Sequence, residues 1–379
     1  MLKKLAGLLR RPPRPRFVLA PRVAARRSVC ISYISEPFSG DWTENKARGH
    51  TNAFEVTAMA QAWLDRGFRV EICGYEDGDY VPPSDCVVAI DIHRNLERWA
   101  ALPGGGFLKI LHATGCHWKF QNDAEMKRLE SLRMRRGVRL APRRQVPPSR
   151  AAQVADEIAL TGNGFTMETF RHAGKPMTRI PISSAYEFTW PERRSFEEVR
   201  RRFLWIGSYG MVHKGLDLVL EAFAAMPHLD LTVCGRPEKE PDFFRAYEKE
   251  LTGTPNIRLL GWLDLSSPQF AEIARTHCAV VYPSCAEGGG GTVIHCMHAG
   301  LIPICTNEAS VDMSSFGTMI NEATVSAVAE SVSSIAEAPA RAIEGRARHS
   351  YDHARRKHRR DLFASAYADF VESTIARIN

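Results

Sequence analysis

The stretch AVVYPSCAEGGGGTVIHCMHAGLIPI, residues 279–304, decides how this chain is read. It opens on an apolar run of strand length, Ala279 to Tyr282. A short loop follows with a single carboxylate, Glu287, and then four consecutive glycines, Gly288 to Gly291. Val293, Ile294 and Met297 have helical spacing, and after a glycine-ended turn Leu301 to Ile304 is apolar again. The order is strand, glycine-rich loop, helix, strand. Glycine lets the backbone approach a ligand closely, and the first N–H groups of a helix have no partner inside it. Such a place binds anions, phosphate above all. Glu287 beside it can accept hydrogen bonds from sugar hydroxyls. A phosphate cradle next to a hydroxyl acceptor points to a nucleotide-sugar site. The plain alternative is a flexible turn ahead of a helix.

Working outward, the alternation continues on both sides. Strands are predicted at 29–34, 69–73, 86–91, 108–112, 157–160 and 178–180, with helices at 51–64, 124–136 and 165–173. Residues 181–202 change character, with Pro181, Pro191, serines and many charges, and are read as leading from one domain to the next. The rhythm restarts with strands at 203–206, 229–234, 257–260 and 278–282 and helices at 215–226, 242–251 and 269–276, and residues 323–379 look all-helical. Strands alternating with helices argue for parallel sheets covered on both faces. The expected fold class is α/β, two Rossmann-like domains facing each other across a cleft, with C-terminal helices. A chain of 379 residues is long for one core, which agrees with two domains.

Composition narrows the class. Hydrophobic residues at 44% and charged residues at 25% are ordinary for a globular protein and exclude a disordered chain. No apolar run reaches the ~18–20 residues that span a bilayer. The nine cysteines form no CxxC pair and no Cys/His cluster at zinc spacing, so free thiols in the reducing cytoplasm are expected, and no metal.

The net charge of +7 is local. Residues 1–28 hold nine Lys and Arg and no acid, which leaves the remainder slightly acidic. Leu2, Leu5, Leu8 and Leu9 share a face if 2–10 is helical, as in a peripheral anchor on the anionic inner face of a membrane. A basic tail without a target reads equally well. A secretory signal is not indicated, because the apolar stretch is short and broken by arginine. A second basic stretch, Lys127 to Arg150, has nine Lys and Arg against Glu130 alone. It lacks interleaved aromatic residues, so no nucleic-acid partner is expected. A solvated helix and loop are expected there, able to face an anionic substrate or membrane.

Residues 203–305 resemble the C-terminal domain of the retaining group 1 glycosyltransferases of the family four type, which have the GT-B fold. Three pieces carry the resemblance: IGSYGMVHKGLDLVLEAF (206–223), NIRLLGWL (256–263) and YPSCAEGGGGTVIHCMHAGLIPI (282–304). The resemblance implies that the donor's nucleotide diphosphate lies against the second domain, with the base near Gly261 and Trp262. Lys214 matches the family's diphosphate-contacting lysine. Glu287 matches the first glutamate of its paired-Glu motif, which orients the donor sugar. Backbone N–H groups of the glycine run, around Gly288, Gly290, Gly291 and Thr292, would meet phosphate or sugar oxygens. Two positions depart from the pattern. The second glutamate, eight residues on, is His295, and the arginine expected after the first strand is Ser208. Arg236, after the next strand, offers a substitute.

In the first domain, Gly49 and His50 lie where similar proteins have glycines near the donor phosphate; a simple turn reads there too. His112 resembles the histidine that faces the reacting sugar; a buried structural histidine is the alternative. His93 and His117 are weaker candidates. The domains implied are a basic tail (1–28), an acceptor-side domain (29–182), a linker (183–202), a donor-side domain (203–350), and a C-terminal helix (351–379) packing back toward the first domain. The implied catalytic residues are Glu287, Lys214 and His112. The implied reaction is transfer from a nucleotide diphosphate-sugar to a glycan or lipid-linked acceptor hydroxyl, with retention and no further cofactor, in glycan or glycolipid synthesis. A non-catalytic nucleotide-sugar-binding protein, or a sugar-nucleotide epimerase on the same fold, are the alternatives.

Overall fold

A computed structural model describes residues 16–23, 25, 27–39 and 51–378. The amphipathic segment 2–10, Gly49 and His50 lie outside the described residues.

Thirteen strands are described, in two sheets. The first has the order β1-β3-β2-β4-β5-β6-β7: Phe17–Leu19, Arg69–Gly74, Ser28–Tyr33, Cys86–Asp91, Leu108–Ala113, Glu157–Leu160 and Met177–Arg179. β2 pairs in parallel with β3 and β4, and β4 with β5. β2 is buried along its whole length, as a strand covered on both faces must be. β1 was not expected. It adds antiparallel to the edge, Phe17 opposite Ile72, so the last part of the basic tail belongs to the fold.

The second sheet has the order β10-β9-β8-β11-β12-β13: Ile257–Gly261, Asp230–Cys234, Arg202–Ile206, Ala279–Tyr282, Ile302–Thr306 and Thr318–Ile320. All its pairs are parallel. Successive side chains of a strand point to opposite faces. Accordingly Phe203 and Trp205 enter one core cluster, with Phe223, Leu231 and Val281, while Leu204 and Ile206 enter another, with Phe270, Val280 and Met297.

Most elements fall where the periodicity puts them. The helix Trp118–Arg136 starts six residues before the expected Ala124, because His117 caps it through Nδ1, which accepts from the Lys119 N–H at 3.4 Å. The single helix expected over 242–251 is two, Pro241–Ala246 and Glu248–Gly253. Residues 183–202 are no loose tether: Ser183, Ser184, Ala185 and Arg194 are buried, and Phe196 and Val199 join the core.

The chain groups into two compact units. One holds the chain up to His112, Ser149–Ile158 and the chain from Tyr367 on; the other holds Ala113–Pro148 and Ala159–Ala366. In the first, the C-terminal helix is bound by Arg66, which pairs with Glu372 at 2.8 Å, and by the Arg377–Glu157 pair. In the second, the basic stretch explains why 113–148 groups as it does. Arg135 pairs with Asp217 at 2.6 Å and Glu221 at 3.0 Å, Arg136 pairs with Glu250 at 2.5 Å, and Arg143 pairs with Asp242. The expected solvated basic face is corrected accordingly: three of its arginines serve buried or half-buried acids. Asp217 is fully buried, and a buried carboxylate needs such a partner.

Candidate donor site

Lys214 and Glu287 are distant in sequence, and the strand order brings them together. β8 lies between β9 and β11, so the direction of chain progress reverses there. Ligands of such sheets sit outside the carboxyl ends of the strands at this reversal. The loop after β8 leads to Lys214 and the loop after β11 to Glu287, and Lys214 Nζ stands 2.7 Å from Glu287 Oε1.

The two loops are laced to each other. The Cys285 N–H donates to the His213 carbonyl at 2.9 Å. His213 Nε2 donates to the Ala286 carbonyl at 2.6 Å. Tyr282 OH accepts from Lys214 Nζ at 2.6 Å and donates to Glu287 Oε1 at 2.9 Å. Ser284 Oγ reaches both Glu287 Oε1 at 2.9 Å and the His213 carbonyl at 3.2 Å, and with one proton serves one at a time. Glu240 steadies the β8 loop by accepting from the Gly210 N–H at 2.6 Å and the Met211 N–H at 3.2 Å. Every donor to Glu287 converges on Oε1. Among the described residues Oε2 has no hydrogen-bond partner, so half of the carboxylate is committed and half is open to a ligand hydroxyl.

Burial pushes the Glu287 carboxyl up, but nearby positive charge outweighs it, Lys214 first and then His213 and Arg144, and holds it at about 2 against an ordinary 4.5. Burial drives the His213 imidazole down to about 4, so at neutral pH Lys214 and Arg144 carry the effect. Glu287 is therefore an anion that accepts hydrogen bonds and has no proton to give. A carboxyl held at about 2 instead of 4.5 adds about 3 kcal/mol of stability at neutral pH. Its folded pKa is depressed, so this stability is present above about 4.5 and fades as pH falls toward about 2. Urea unfolding followed by tryptophan fluorescence from pH 6 down to about 3 should show a steeper loss of stability for the wild type than for Glu287→Gln. Parallel curves would refute the depressed pKa.

The glycine run is held tightly. The Gly288 carbonyl accepts from Thr161 Oγ1 at 2.8 Å, and Cys116 Sγ donates to the Glu287 carbonyl at 3.2 Å. A Cβ on Gly288 would stand 2.1 Å from the Thr114 carbonyl oxygen. Gly290, at φ +55°, ends the loop as the cap of the helix Gly291–His298. Among the described residues no side chain caps that helix, so the N–H groups of Gly291 and Thr292 are open to a ligand.

The other expected site residues fall into three groups. Gly261 ends β10 and Trp262 follows it, and the Arg236 guanidinium lies 4.8 Å above the Trp262 ring, which is 55% exposed. Together they form an open, flat, cationic-aromatic surface. Ser208 is exposed in the loop after β8. His295 is corrected: its Nδ1 bonds the Gly291 carbonyl at 2.7 Å and its Nε2 accepts from the Ala185 N–H at 2.9 Å. Both nitrogens are committed to backbone, so the ring cannot stand in for a ribose-binding carboxylate. His112 is likewise a buried histidine of the first unit, its ring 5.8 Å from Tyr33 and 6.2 Å from Tyr367. Neither of its nitrogens has a partner among the described residues, and burial lowers its pKa to about 4. His117 is the helix cap described above, and His93 lies in the turn after β4, its N–H bonded to Asp91 Oδ2 at 3.1 Å. Tyr282, Ser284, His213 and Glu240 were not singled out from sequence. The first three adjoin the motifs, but nothing in a sequence says where a hydroxyl or ring nitrogen points.

Residues 200–338 match the family described as "Glycosyl transferases group 1". The matched stretch holds both Lys214 and Glu287. The likeness to solved structures extends over nearly the whole chain. HepE of Anabaena, crystallised with UDP and glucose, is 12% identical at a TM-score of 0.60, over 92% of this chain and 100% of that one. Sucrose-phosphate synthase of Thermosynechococcus elongatus is 13% identical at a TM-score of 0.62, over 93% and 100%. WaaG, a glycosyltransferase involved in lipopolysaccharide biosynthesis, is 15% identical at a TM-score of 0.52, over 90% and 98%. At such identities these likenesses establish the fold alone. Comparison with curated protein sequences returns no significant match. Among the described residues, no helix is long and apolar enough to cross a membrane.

Proposed function

We propose that this protein is a glycosyltransferase that moves a sugar from a UDP-sugar to an acceptor hydroxyl, with retention at the anomeric carbon. The observation that carries the reading is the 2.7 Å pairing of Lys214 with Glu287 beside the uncapped helix Gly291–His298. UDP as the nucleotude is supported by the fold's solved examples: HepE holds UDP-glucose, and pneumococcal GtfA holds UDP and GlcNAc.

The chemistry is mainly electrostatic. As the glycosidic bond breaks, the leaving diphosphate gains negative charge. Lys214 Nζ has three protons, of which Glu287 and Tyr282 take two, so one is left for a phosphate oxygen. The N–H groups at the helix start add donors. The helix dipole alone offers about 0.3–1 kcal/mol, or ~2 when partly buried, against the ~8 kcal/mol or more that enzymatic rates require. Preorganised hydrogen bonds to the developing charge supply the larger share. Glu287 Oε2 accepts from a donor-sugar hydroxyl and fixes the anomeric carbon relative to the acceptor. No protein nucleophile is assigned; the leaving phosphate takes the acceptor's proton. The nine basic residues of 1–28 support a membrane-linked glycan or lipid acceptor and a peripheral place at the cytoplasmic face.

The deciding experiment is a melting-temperature screen with UDP-, GDP-, ADP- and dTDP-sugars, followed by NMR of the product's anomeric proton. Stabilisation by a UDP-sugar and a retained anomer are expected. Binding without turnover on any acceptor would favour the non-catalytic alternative, and conversion of donor without acceptor would favour epimerisation.

The Trp262–Arg236 surface is the proposed seat of the base. Stacking a base on an aromatic ring contributes about 1–3 kcal/mol. Trp262→Ala should therefore weaken UDP binding at least about fivefold by calorimetry, with an unchanged melting temperature because the ring is exposed. An unchanged Kd would place the base elsewhere.

A further inference from the structure

In the basic stretch 127–150, Arg144 is half-buried and its guanidinium is unpaired among the described residues, whereas the unpaired Arg139 and Arg150 are exposed. Arg135, Arg136 and Arg143 pair with acids, and Arg128 Nη1 donates to the Pro283 carbonyl at 3.0 Å. The guanidinium of Arg144 makes neither an ion pair nor a hydrogen bond among the described residues, and its Nε is buried without a partner. Yet the backbone on either side is firmly placed. Glu125 Oε1 accepts from the Arg143 and Arg144 N–H groups, each at 2.8 Å. Gln121 Nε2 donates to the Arg144 carbonyl at 2.6 Å, and Asn122 brackets Val146 with two bonds of 2.8 Å.

This scaffold lays the Arg144 stem across Gly210, in the loop that leads to Lys214. A Cβ on Gly210 would stand 2.6 Å from Arg144 Cγ and 3.1 Å from Cδ. The charge at the end of the stem is felt by Glu287, His213 and Tyr282, three members of the network around Lys214. The same loop carries Ser208, at the position where the sequence lacks an expected arginine. A guanidinium fork matches two phosphate oxygens at once, which a serine cannot do.

We infer that Arg144 is a diphosphate-binding residue, supplying from the loop after the helix Trp118–Arg136 the guanidinium that the loop after β8 lacks. The inference rests on the proposed function and deepens it. Among the described residues no carboxylate forms an ion pair with the fork. The ligand is any nucleoside diphosphate or its sugar ester, recognised through the phosphates and not through the base.

The test is calorimetry of the full chain with UDP, with uridine binding followed by saturation-transfer NMR, for wild type, Arg144→Gln and Arg144→Lys. Arg144→Gln should raise the Kd for UDP at least about tenfold, leave uridine unchanged, and flatten the salt dependence of UDP binding. Arg144→Lys, which keeps the charge and loses the fork, should recover part of the loss. A UDP affinity in Arg144→Gln within about twofold of wild type, or an equal loss for uridine and UDP, would overturn the inference while leaving the proposed function in place. A wild-type protein that binds none of UDP, GDP, ADP or dTDP would overturn both.

Discussion

Glu287→Gln is expected to lower kcat about 10²–10³-fold while the protein stays folded. The substitution is isosteric, so with the amide oxygen at the old Oε1 position Tyr282 and Ser284 still find an acceptor. What disappears is the anion that fixes Lys214 Nζ at 2.7 Å. Without it the ammonium loses the partner that aims it, and the donor-sugar hydroxyl meets an amide in place of a carboxylate. Lys214→Ala attacks the same pair from the other side and should cost a similar factor, now through the unneutralised diphosphate. Its stability loss should be about 1–3 kcal/mol, because Glu287 keeps Tyr282 and Ser284 as donors. The check is steady-state kinetics at saturating donor with circular dichroism on the same samples. Turnover near wild type in either folded variant would remove that residue from the mechanism.

Gly290→Ala is expected to destabilise the protein by about 2–5 kcal/mol, combining left-handed backbone cost with overpacking. Gly290 stands at φ +55°, and a Cβ there would lie 2.4 Å from Val311 Cγ2 and 2.8 Å from the Ala309 carbonyl oxygen. Neither neighbour has room to retreat, since Val311 and Ala309 are buried in the core of the second sheet. Relief has to come from the helix Gly291–His298, whose start would tilt and take the free N–H groups with it. The adjacent Gly291→Ala is the control: its Cβ would meet only Ile182 Cδ1, at 3.6 Å, an ordinary contact. Urea midpoints of the two variants decide the matter. Equal midpoints would mean that the loop is slack and the cradle is not preformed.

Much of the architecture was legible because it depends on local periodicity. The helix Thr51–Leu64 and the strands Cys86–Asp91 and Glu157–Leu160 lie where the apolar pattern puts them. The strand–glycine–helix–strand order of 279–304 likewise holds, and with it the identity of Glu287 as the loop's carboxylate. Lys214 could be picked out by its place at a strand–helix junction. Failures came where a residue's role depends on what faces it. His295 stands where the family has its second glutamate, and only the fold shows that Ala185, from the stretch read as a linker, uses its Nε2. The basic run 127–150 read as a solvated face, yet Arg135, Arg136 and Arg143 answer acids at positions 217, 221, 242 and 250.

By itself the sequence determined that this chain builds two parallel sheets and that one of them presents a glycine loop, a carboxylate and a lysine at strand ends, since side-chain alternation and glycine's φ range are properties of neighbouring residues. Only the tertiary structure decided which groups meet. The strand order puts β8 beside β11, so that Lys214 donates to Glu287 Oε1, Tyr282 and Ser284 close around that oxygen, and the Arg144 stem arrives from a different loop. Hydrogen bonds and ion pairs act over a few ångströms between residues scores of positions apart, and that proximity is created by packing.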